Sequence, residues 1–297
     1  MKSASILLRA ILGLGTLALL AFASTAQARV TCVVTNPATL SISYGSLYNL
    51  VSGSFSVKCT NNTATARTAT YQLQATVSAN ATGTQRRAKG LLGGFLNYSL
   101  TTDSACLAPW NATTPNYNPV AAYTTPALVS TNPAGDLHIF FYYVCVPAGQ
   151  TTLAADTYSD TIAIQFIKNT VSGGTVTWTN GAAFTVLSAK LYGTCSFTTP
   201  PGNMTFNYTS MSATAATAST TFATTCTNTL PYTMALDATS GTINGVNYTL
   251  ALSAASATGT GVAQTYTING NIAAGQTGTC ATATCTGSQA RTITITY

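Results

Sequence analysis

The sequence predicts an all-β protein built from two tandem β-sandwich domains, and three observations lead to this prediction. Only 5% of the 297 residues are charged, none is glutamate, and threonine is abundant, a composition that favours pleated strands over helices. Residues 71–77 and 265–268 alternate apolar and polar side chains, as expected of strands with one covered face. Motifs of the first half recur in the same order in the second half, which indicates two copies of one domain.

The first 28 residues have the features of a secretory signal peptide. Lys2 and Arg9 provide a positive start, residues 10–22 form an apolar core, and residues 26–28 read Ala-Gln-Ala, which is a small-residue cleavage site. The apolar run is short for a membrane span, and no later stretch approaches about 18 apolar residues. An uncleaved anchor is the alternative. The sequence therefore predicts an exported chain with no membrane span after cleavage.

Eight cysteines follow this segment, and an even number in an exported chain indicates disulfides. Cys280 and Cys285 lie close in sequence, but no His and no second close pair is available to complete a tetrahedral metal site. Disulfides are therefore predicted instead of a metal centre. The eight residues are Cys32, Cys59, Cys106, Cys145, Cys195, Cys226, Cys280 and Cys285.

An internal repeat divides the rest of the chain. The Leu-x-Ile-x-Tyr segment at 40–44 is matched by Met-x-Phe-x-Tyr at 204–208, and each lies between two cysteines. Asn-Tyr-Ser-Leu at 97–100 is matched by Asn-Tyr-Thr-Leu at 247–250, and Ala-Gly-Gln at 148–150 recurs at 274–276. These matches predict one domain at 29–170 and another at 192–297, joined by residues 171–191.

The repeat also narrows the disulfide pairing. It assigns four cysteines to each domain, which leaves three possible pairings within each one. We select the pairs in which the first and third bridges occupy equivalent places in the repeat. The selected pairs are Cys32–Cys59, Cys106–Cys145, Cys195–Cys226 and Cys280–Cys285.

Few residues could support catalysis. The chain has a single imidazole, His138, and no Gly-x-Ser-x-Gly motif. A hydrolase triad would therefore have to use His138 with a serine outside this motif. Gly173-Gly174 is typical of a turn and lacks the context of a phosphate loop. The one basic cluster, at 86–89, is too short for a nucleic-acid interface. A protein without catalytic activity, cofactor or nucleic-acid partner is therefore expected. The acidic residues are Asp103, Asp136, Asp156, Asp160 and Asp237.

The order of these motifs resembles the spore coat protein U domain, the pilin-like module of archaic chaperone–usher pili. The resemblance covers nearly all of the chain after the signal peptide, in two copies. Tyr158-Ser-Asp160-Thr-Ile162 matches the family's Tyr-x-Asp-x-[Ile/Val] entry into its last strand, and residues 293–297 match its usual ending. In the second copy, residues 287–292 depart from the Tyr-x-Asp pattern.

The resemblance implies an immunoglobulin-like sandwich that lacks one strand. In such proteins a periplasmic chaperone fills the gap first, and the N-terminal extension of a neighbouring pilin subunit then replaces it at the outer-membrane usher. This is strand addition to an open sheet edge. Ile293, Ile295 and Tyr297, in the final strand, are the candidate contacts with the chaperone.

A donor strand must be an alternating apolar segment before the first conserved cysteine of a domain. Only three residues separate the predicted cleavage site from Cys32, which is too few for a strand, whereas residues 183–192 before Cys195 are long and apolar enough. We expect residues 171–191 to complete the first domain and a neighbouring subunit to complete the second, which lacks one strand. The donor-like residues are Phe184, Val186, Leu187 and Leu191.

A chain with no donor for another subunit is expected at the end of a fibre. The resemblance thus implies the tip adhesin of an archaic chaperone–usher pilus, which passes through the periplasm to the cell surface and mediates attachment and biofilm formation. The alternative is a self-complete coat or secreted structural protein, in which residues 171–191 are a plain linker.

Adhesion would use loops at the free end of the first domain. Residues 83–96 combine basic and apolar side chains around glycines, and residues 107–128 hold prolines and aromatic residues without strand alternation. The functional interpretation is an exposed apolar patch that contacts an unidentified surface, and the alternative is that Trp110 or Tyr123 packs over the sandwich edge. The candidates are Arg86, Arg87, Leu91, Leu92, Phe95, Trp110, Tyr117, Tyr123 and Leu128.

Overall fold

A computed structural model of the chain describes residues 29–45, 47–110 and 122–297. These residues form 20 β-strands in four sheets, and no helix occurs among them. The prediction of an all-β fold is confirmed. The predicted signal peptide and the candidate Tyr117 lie outside the described residues.

Residues 29–191, which we term the first unit, form two sheets. The larger sheet has nine strands in the order β11-β1-β3-β8-β6-β5-β9-β12-β2, and the smaller one has the order β10-β4-β7. The strands are β1 (Arg29–Thr35), β2 (Leu40–Tyr44), β3 (Asn49–Asn61), β4 (Ala69–Ala75), β5 (Arg86–Gly90), β6 (Phe95–Thr101), β7 (Tyr123–Thr124), β8 (Asp136–Val146), β9 (Asp156–Ile162), β10 (Ile164–Val171), β11 (Thr175–Thr179) and β12 (Phe184–Leu191).

Residues 195–297, the second unit, also form two sheets. Their orders are β13-β14-β19-β17-β16 and β18-β15-β20. The strands are β13 (Cys195–Thr199), β14 (Ala216–Cys226), β15 (Pro231–Leu236), β16 (Ser240–Ile243), β17 (Val246–Leu252), β18 (Ser256–Thr258), β19 (Ala263–Ile272) and β20 (Ile293–Thr296).

The first unit encloses a large core between its two sheets. In β4, every second residue from Ala69 to Ala75 is buried while the others are half-exposed, which is the period-2 pattern of a strand with one covered face. Tyr71 of the smaller sheet packs edge-to-face on Phe140 of the larger sheet, with 6.3 Å between ring centroids. The largest fully buried side chains in this core include Trp110, Tyr44, Tyr71, Tyr98, Tyr142 and Tyr158.

The second unit buries much less apolar surface. Its core cluster has five buried members, Phe222, Cys226, Tyr232, Met234 and Ile268. Other apolar side chains that pack against this cluster keep part of their surface exposed, among them Met204, Leu236, Leu250, Leu252, Ile293 and Ile295. Because the hydrophobic free energy scales with the apolar area removed from water, the second unit has a weaker core than the first.

Four disulfides join the eight cysteines in the same pairs that the repeat favoured. Cys32 and Cys59 lie opposite each other on neighbouring strands β1 and β3. Cys195 and Cys226 do the same on β13 and β14. The two bridges therefore link equivalent strand pairs in the two units.

The repeat is also visible in side-chain hydrogen bonds. The Gln150 side chain accepts a bond from the Asn97 amide (2.7 Å) and donates one to the Asn97 carbonyl (3.0 Å), while its own amide donates to the Tyr44 hydroxyl (3.3 Å). Gln276, Asn247 and Tyr208 form the same three bonds in the second unit, at 2.8, 2.9 and 2.8 Å. Tyr208 is therefore the counterpart of Tyr44 in β2.

Candidate functional site

Strand β12 fills the gap between β9 and β2 in the first unit. It runs antiparallel to β9, with Leu191 opposite Asp156, and parallel to β2, with Leu191 opposite Tyr44. Val186, Leu187 and Ala189 are fully buried, and Phe184 and Leu191 are half-buried. The first unit is therefore completed by a strand of its own chain.

Residues 171–191 supply a second strand to the same sheet. Strand β11 pairs in parallel with β1, from Arg29 opposite Thr175 to Val33 opposite Thr179. Trp178 in β11 packs against the core and lies 4.9 Å from the Phe166 ring of the smaller sheet. The segment is thus part of the first sandwich and is not a plain linker.

Backbone contacts identify the part of the second unit that corresponds to β9. In the first unit, the Thr76 amide donates to the Ala163 carbonyl (2.9 Å) and the Ala163 amide donates to the Thr76 hydroxyl (2.8 Å). In the second unit, the Asp237 amide donates to the Thr292 carbonyl (2.9 Å) and the Thr292 amide donates to the Asp237 carboxylate (3.1 Å). Residues just before Thr292 therefore correspond to β9, which ends just before Ala163.

Neither neighbour of β12 has a strand counterpart in the second unit. Residues 204–208, the counterpart of β2, and residues 287–292 are not in strands, and no strand of residues 195–297 pairs with either segment. The side chains of Met204 and Phe206 pack against Gly270 of β19 and are half-buried. We term the space bounded by residues 204–208 and 287–297 the acceptor groove, because β12 fills the equivalent space in the first unit.

The C-terminal strand β20 forms one wall of this groove. It pairs with β15 alone and is the edge strand of its sheet, with Ile295 opposite Met234 and Ile293 opposite Leu236. Ile293 and Ile295 are half-buried and Tyr297 is exposed. The partly covered apolar face of β20 borders the groove. The contact of these residues with a chaperone remains a prediction.

Three residues predicted on the adhesion surface are buried, so the prediction is wrong for Trp110, Leu128 and Arg86. The Trp110 ring stacks on Phe55 at 5.7 Å, and its indole N–H donates to the Leu73 carbonyl (3.4 Å). Leu128 forms a two-way backbone bridge with residue 67. Trp110 and Leu128 close the sandwich because their apolar side chains pack into the core cluster of the first unit.

Arg86 is buried because its guanidinium satisfies carbonyl groups inside the first unit. It donates to the carbonyls of Thr76 (2.8 Å), Ala75 (3.2 Å) and Trp110 (3.3 Å). Nearby, the Tyr98 hydroxyl donates to the Asp160 carboxylate. Burial raises the pKa of the Asp160 carboxyl, and burial together with the Asp160 charge raises the pKa of Tyr98.

Tyr123 packs over the sandwich edge and is half-buried, which matches the alternative interpretation. Its ring lies 3.9 Å from the His138 ring, and its hydroxyl donates to the Asp136 carboxylate (3.1 Å). Burial and then the hydrogen bond to Asp136 raise the pKa of Tyr123 to about 12. The only imidazole of the chain is thus held in an aromatic stack.

The other candidates lie on the β5–β6 hairpin and remain accessible. Leu91 is 89% exposed and Leu92 is 76% exposed. The Arg87 guanidinium lies 4.2 Å above the Phe95 ring. These side chains present an apolar tip with a positive charge at its base, a composition suited to contact with another surface.

The hairpin is not at the free end of the first unit, where it was predicted. The Leu92 amide donates to the Asp156 carboxylate (2.7 Å), and Asp156 lies opposite Leu191, from which the chain continues to the second unit. Ala154 also forms a bridge with Asn228 of the second unit. The antiparallel order of β5, β9 and β12 places the hairpin at this junction.

Across residues 29–45, 47–110 and 122–297, no group of three or more His, Cys, Asp or Glu side chains could hold a metal ion. In the same ranges, no helix has the length and apolar character needed to cross a membrane.

Comparison with known proteins gives one family match and similar solved structures. A model of the Spore Coat Protein U domain matches residues 18–165. The crystal structure of the CupB6 tip adhesin from Pseudomonas aeruginosa is 9% identical, with a TM-score of 0.39, and the match covers 85% of this chain and 91% of that chain. A chaperone–tip adhesin complex of CFA/I fimbriae biogenesis is 10% identical, with a TM-score of 0.26, covering 88% and 96%. No curated protein matches the chain.

Proposed function

Residues 18–165 belong to the Spore Coat Protein U domain family, and from this premise we propose that the chain is a tip adhesin of an archaic chaperone–usher pilus. One observation carries the proposal: β12 fills the gap of the first unit, whereas the equivalent space of the second unit is an open groove. The proposal keeps domains at 29–170 and 192–297, with residues 171–191 as the strands that complete the first.

The use that the chain makes of its own strands supports a position at the tip. β12 is the segment with the pattern of a donor, and its buried residues Val186, Leu187 and Ala189 are already packed in the first unit. It therefore cannot be given to another subunit. A subunit that uses its donor-type segment within its own fold and accepts a strand in the second unit is expected at one end of a fibre.

The acceptor groove supports the proposed partners. An incoming strand would pair with residues 204–208 and 287–292, the counterparts of β2 and β9, and cover Met204, Ile293 and Ile295, which are half-buried. Backbone hydrogen bonds supply affinity in such additions, and alternate side chains supply register. The proposed occupants are a periplasmic chaperone and then a neighbouring pilin subunit, exchanged at the outer-membrane usher.

A C-terminal extension tests the open groove. The extension repeats the sequence of residues 183–192 after a Gly/Ser linker as long as residues 172–182, because β12 follows β10 in this way. It is expected to raise the melting temperature of the second unit by covering its apolar groove. In the control extension, the copies of Val186, Leu187 and Ala189 are replaced by Asp. Identical melting of the two proteins would contradict the groove and favour a self-complete coat protein.

Fibre labelling tests the position of the chain. Antibodies against the first unit are expected to mark only the ends of intact fibres from the source cells. Label along the whole fibre would contradict a tip position while leaving the groove intact.

The attachment surface within this proposal is the β5–β6 hairpin, with Leu91 and Leu92 at its tip. Described loops at the opposite end of the first unit, residues 62–66 and 130–134, consist of small and polar residues and one proline. They offer little apolar area to a surface. The hairpin is therefore the better candidate for contact with an apolar target.

A further inference from the structure

A polar cluster ties residues 287–292 to the body of the second unit. The Tyr248 hydroxyl donates to the Gln289 side-chain oxygen (2.7 Å) and accepts a bond from Arg291 Nε (2.8 Å). Another guanidinium nitrogen of Arg291 donates to the Ser240 carbonyl (2.7 Å), and a third lies 3.6 Å from the Asp237 carboxylate. One guanidinium thus contacts three different elements of the unit.

The first unit contains an equivalent cluster in which the cation comes from a different strand. There the tyrosine is Tyr98, and Arg86 lies opposite it on the neighbouring strand β5. In the second unit, the residue opposite Tyr248 is Gly241. A Cβ atom at Gly241 would overlap the Arg291 guanidinium. The glycine therefore leaves the room that the guanidinium of Arg291 occupies.

Because the arginine comes from a different part of the chain in each unit, it holds a different segment in each. Arg86 belongs to β5, a strand held by ladders on both sides, to β6 and β9. Arg291 belongs to the wall of the acceptor groove, where residues 287–292 have no strand ladder and residues 281–290 are exposed. In the first unit, the corresponding residues of β9 are held by pairing with β5 and β12. Side-chain contacts thus replace the missing ladders.

We propose that Arg291 is a positioning residue for strand addition: through Tyr248 and Ser240 it holds residues 287–292 along the open groove before the incoming strand pairs with them. The inference rests on the proposed function, because the incoming strand is the donor. Ordering a free segment opposes binding. A wall that is already in place removes part of this cost from the association step.

Hydrogen exchange of the full chain tests the positioning without any donor. In Arg291→Gln, the amides of Asp237 and Thr292, which bond the segment to the body of the unit (2.9 and 3.1 Å), are expected to exchange about three- to tenfold faster than in the parent chain, since the segment loses its anchor. Arg29→Gln is the matched control, because the Arg29 side chain is exposed and donates to Thr177 (2.8 Å) within the first unit. Equal exchange in Arg291→Gln and the control would overturn the proposal.

Binding kinetics separate this inference from the proposed function. The probe is a synthetic peptide of residues 183–192, added to the full chain. Arg291→Gln is expected to slow peptide association about three- to tenfold while dissociation changes little, because pre-ordering acts before the complex forms. A change confined to dissociation would overturn the positioning role. If the peptide does not bind the parent chain, the proposal that the acceptor groove takes a donor strand is contradicted. The exchange measurement still decides whether Arg291 positions residues 287–292.

Two further variants cover the case in which Arg291→Gln unfolds the second unit. Arg291→Lys keeps a positive charge near Asp237 but lacks the planar fork that donates to Tyr248 and Ser240, so faster exchange of the Asp237 and Thr292 amides is expected. Gly241→Ala leaves Arg291 in the sequence and removes the room for its guanidinium. Exchange equal to that of the parent chain in both variants would overturn the proposal.

Discussion

Leu187 of β12 lies directly opposite Leu40 of β2 in a parallel ladder, and the two residues belong to segments far apart in the sequence. On its other side, Leu187 lies opposite Asp160 of β9. The side chain of Leu187 is fully buried. A single residue of β12 thus joins the two strands that flank the gap of the first unit.

Leu187→Ala is expected to destabilise the first unit by about 2–5 kcal/mol, because a fully buried leucine leaves both lost contacts and a cavity. Chemical unfolding of the full chain, followed by the fluorescence of the buried Trp110, measures this change. Leu191→Ala is the control at the half-buried end of the same strand, and a smaller loss is expected there. Equal losses in the two variants would mean that β12 is not packed as described.

The pH dependence of the first unit is expected to include a contribution from Asp160. Burial raises the pKa of this carboxyl above its ordinary value of 3.8. A raised pKa in the folded state stabilises the fold fully below pH 3.8, and the contribution is lost as the pH rises through the folded value. Asp160→Asn should remove this decline, since an amide oxygen still accepts the Tyr98 hydroxyl, as Gln289 does for Tyr248.

Unfolding free energies measured across the acidic range would check this. A decline with rising pH that persists unchanged in Asp160→Asn would assign it to another group.

The disulfides of the second unit are expected to differ in their contribution. Cys195 and Cys226 are separated by 31 residues and Cys280 and Cys285 by 5. The chain-entropy relation gives losses of about 4 and about 2 kcal/mol on removal. Double alanine variants of each pair, compared by thermal unfolding, measure the two effects. A larger loss for the second pair would contradict the expected order.

Attachment to apolar surfaces is expected to depend on the β5–β6 hairpin. Replacing Leu91 and Leu92 with Ser removes two of the most exposed apolar side chains and leaves the core untouched. Cells with this variant should retain fibres and bind less to polystyrene. The control replaces Leu137 and Ile139 with Ser, which are exposed on the outer face of β8. Equal losses in both variants would exclude a specific role for the hairpin.

Local pattern was enough to predict much of this protein. Threonine-rich alternation indicated strands, because the side chains of a strand point to opposite faces with a period of two. The recurrence of Asn-Tyr-[Ser/Thr]-Leu and of the cysteines indicated two copies of one domain. The apolar run at 183–192 indicated a strand of the donor type. Each of these features depends only on residues that are close together in the sequence.

The environment of individual loop residues depended on the tertiary structure. Trp110 and Leu128 have the composition of an exposed patch, yet they close the core of the first unit. Arg86 was grouped with Arg87 as part of a basic cluster, but its guanidinium lies among buried carbonyls. An apolar or basic side chain has the same local pattern in both settings, so only the surrounding strands decide its exposure.

The sequence established the strands, the duplication and an apolar segment able to complete a sandwich. The fold decided the rest: that β12 enters between β9 and β2, that the hairpin at Leu91 faces the junction, and that Arg291 takes the place of Arg86. Strand order and register arise from pairing between distant segments. A period of two specifies which face a residue occupies and carries no information about which strand will lie beside it.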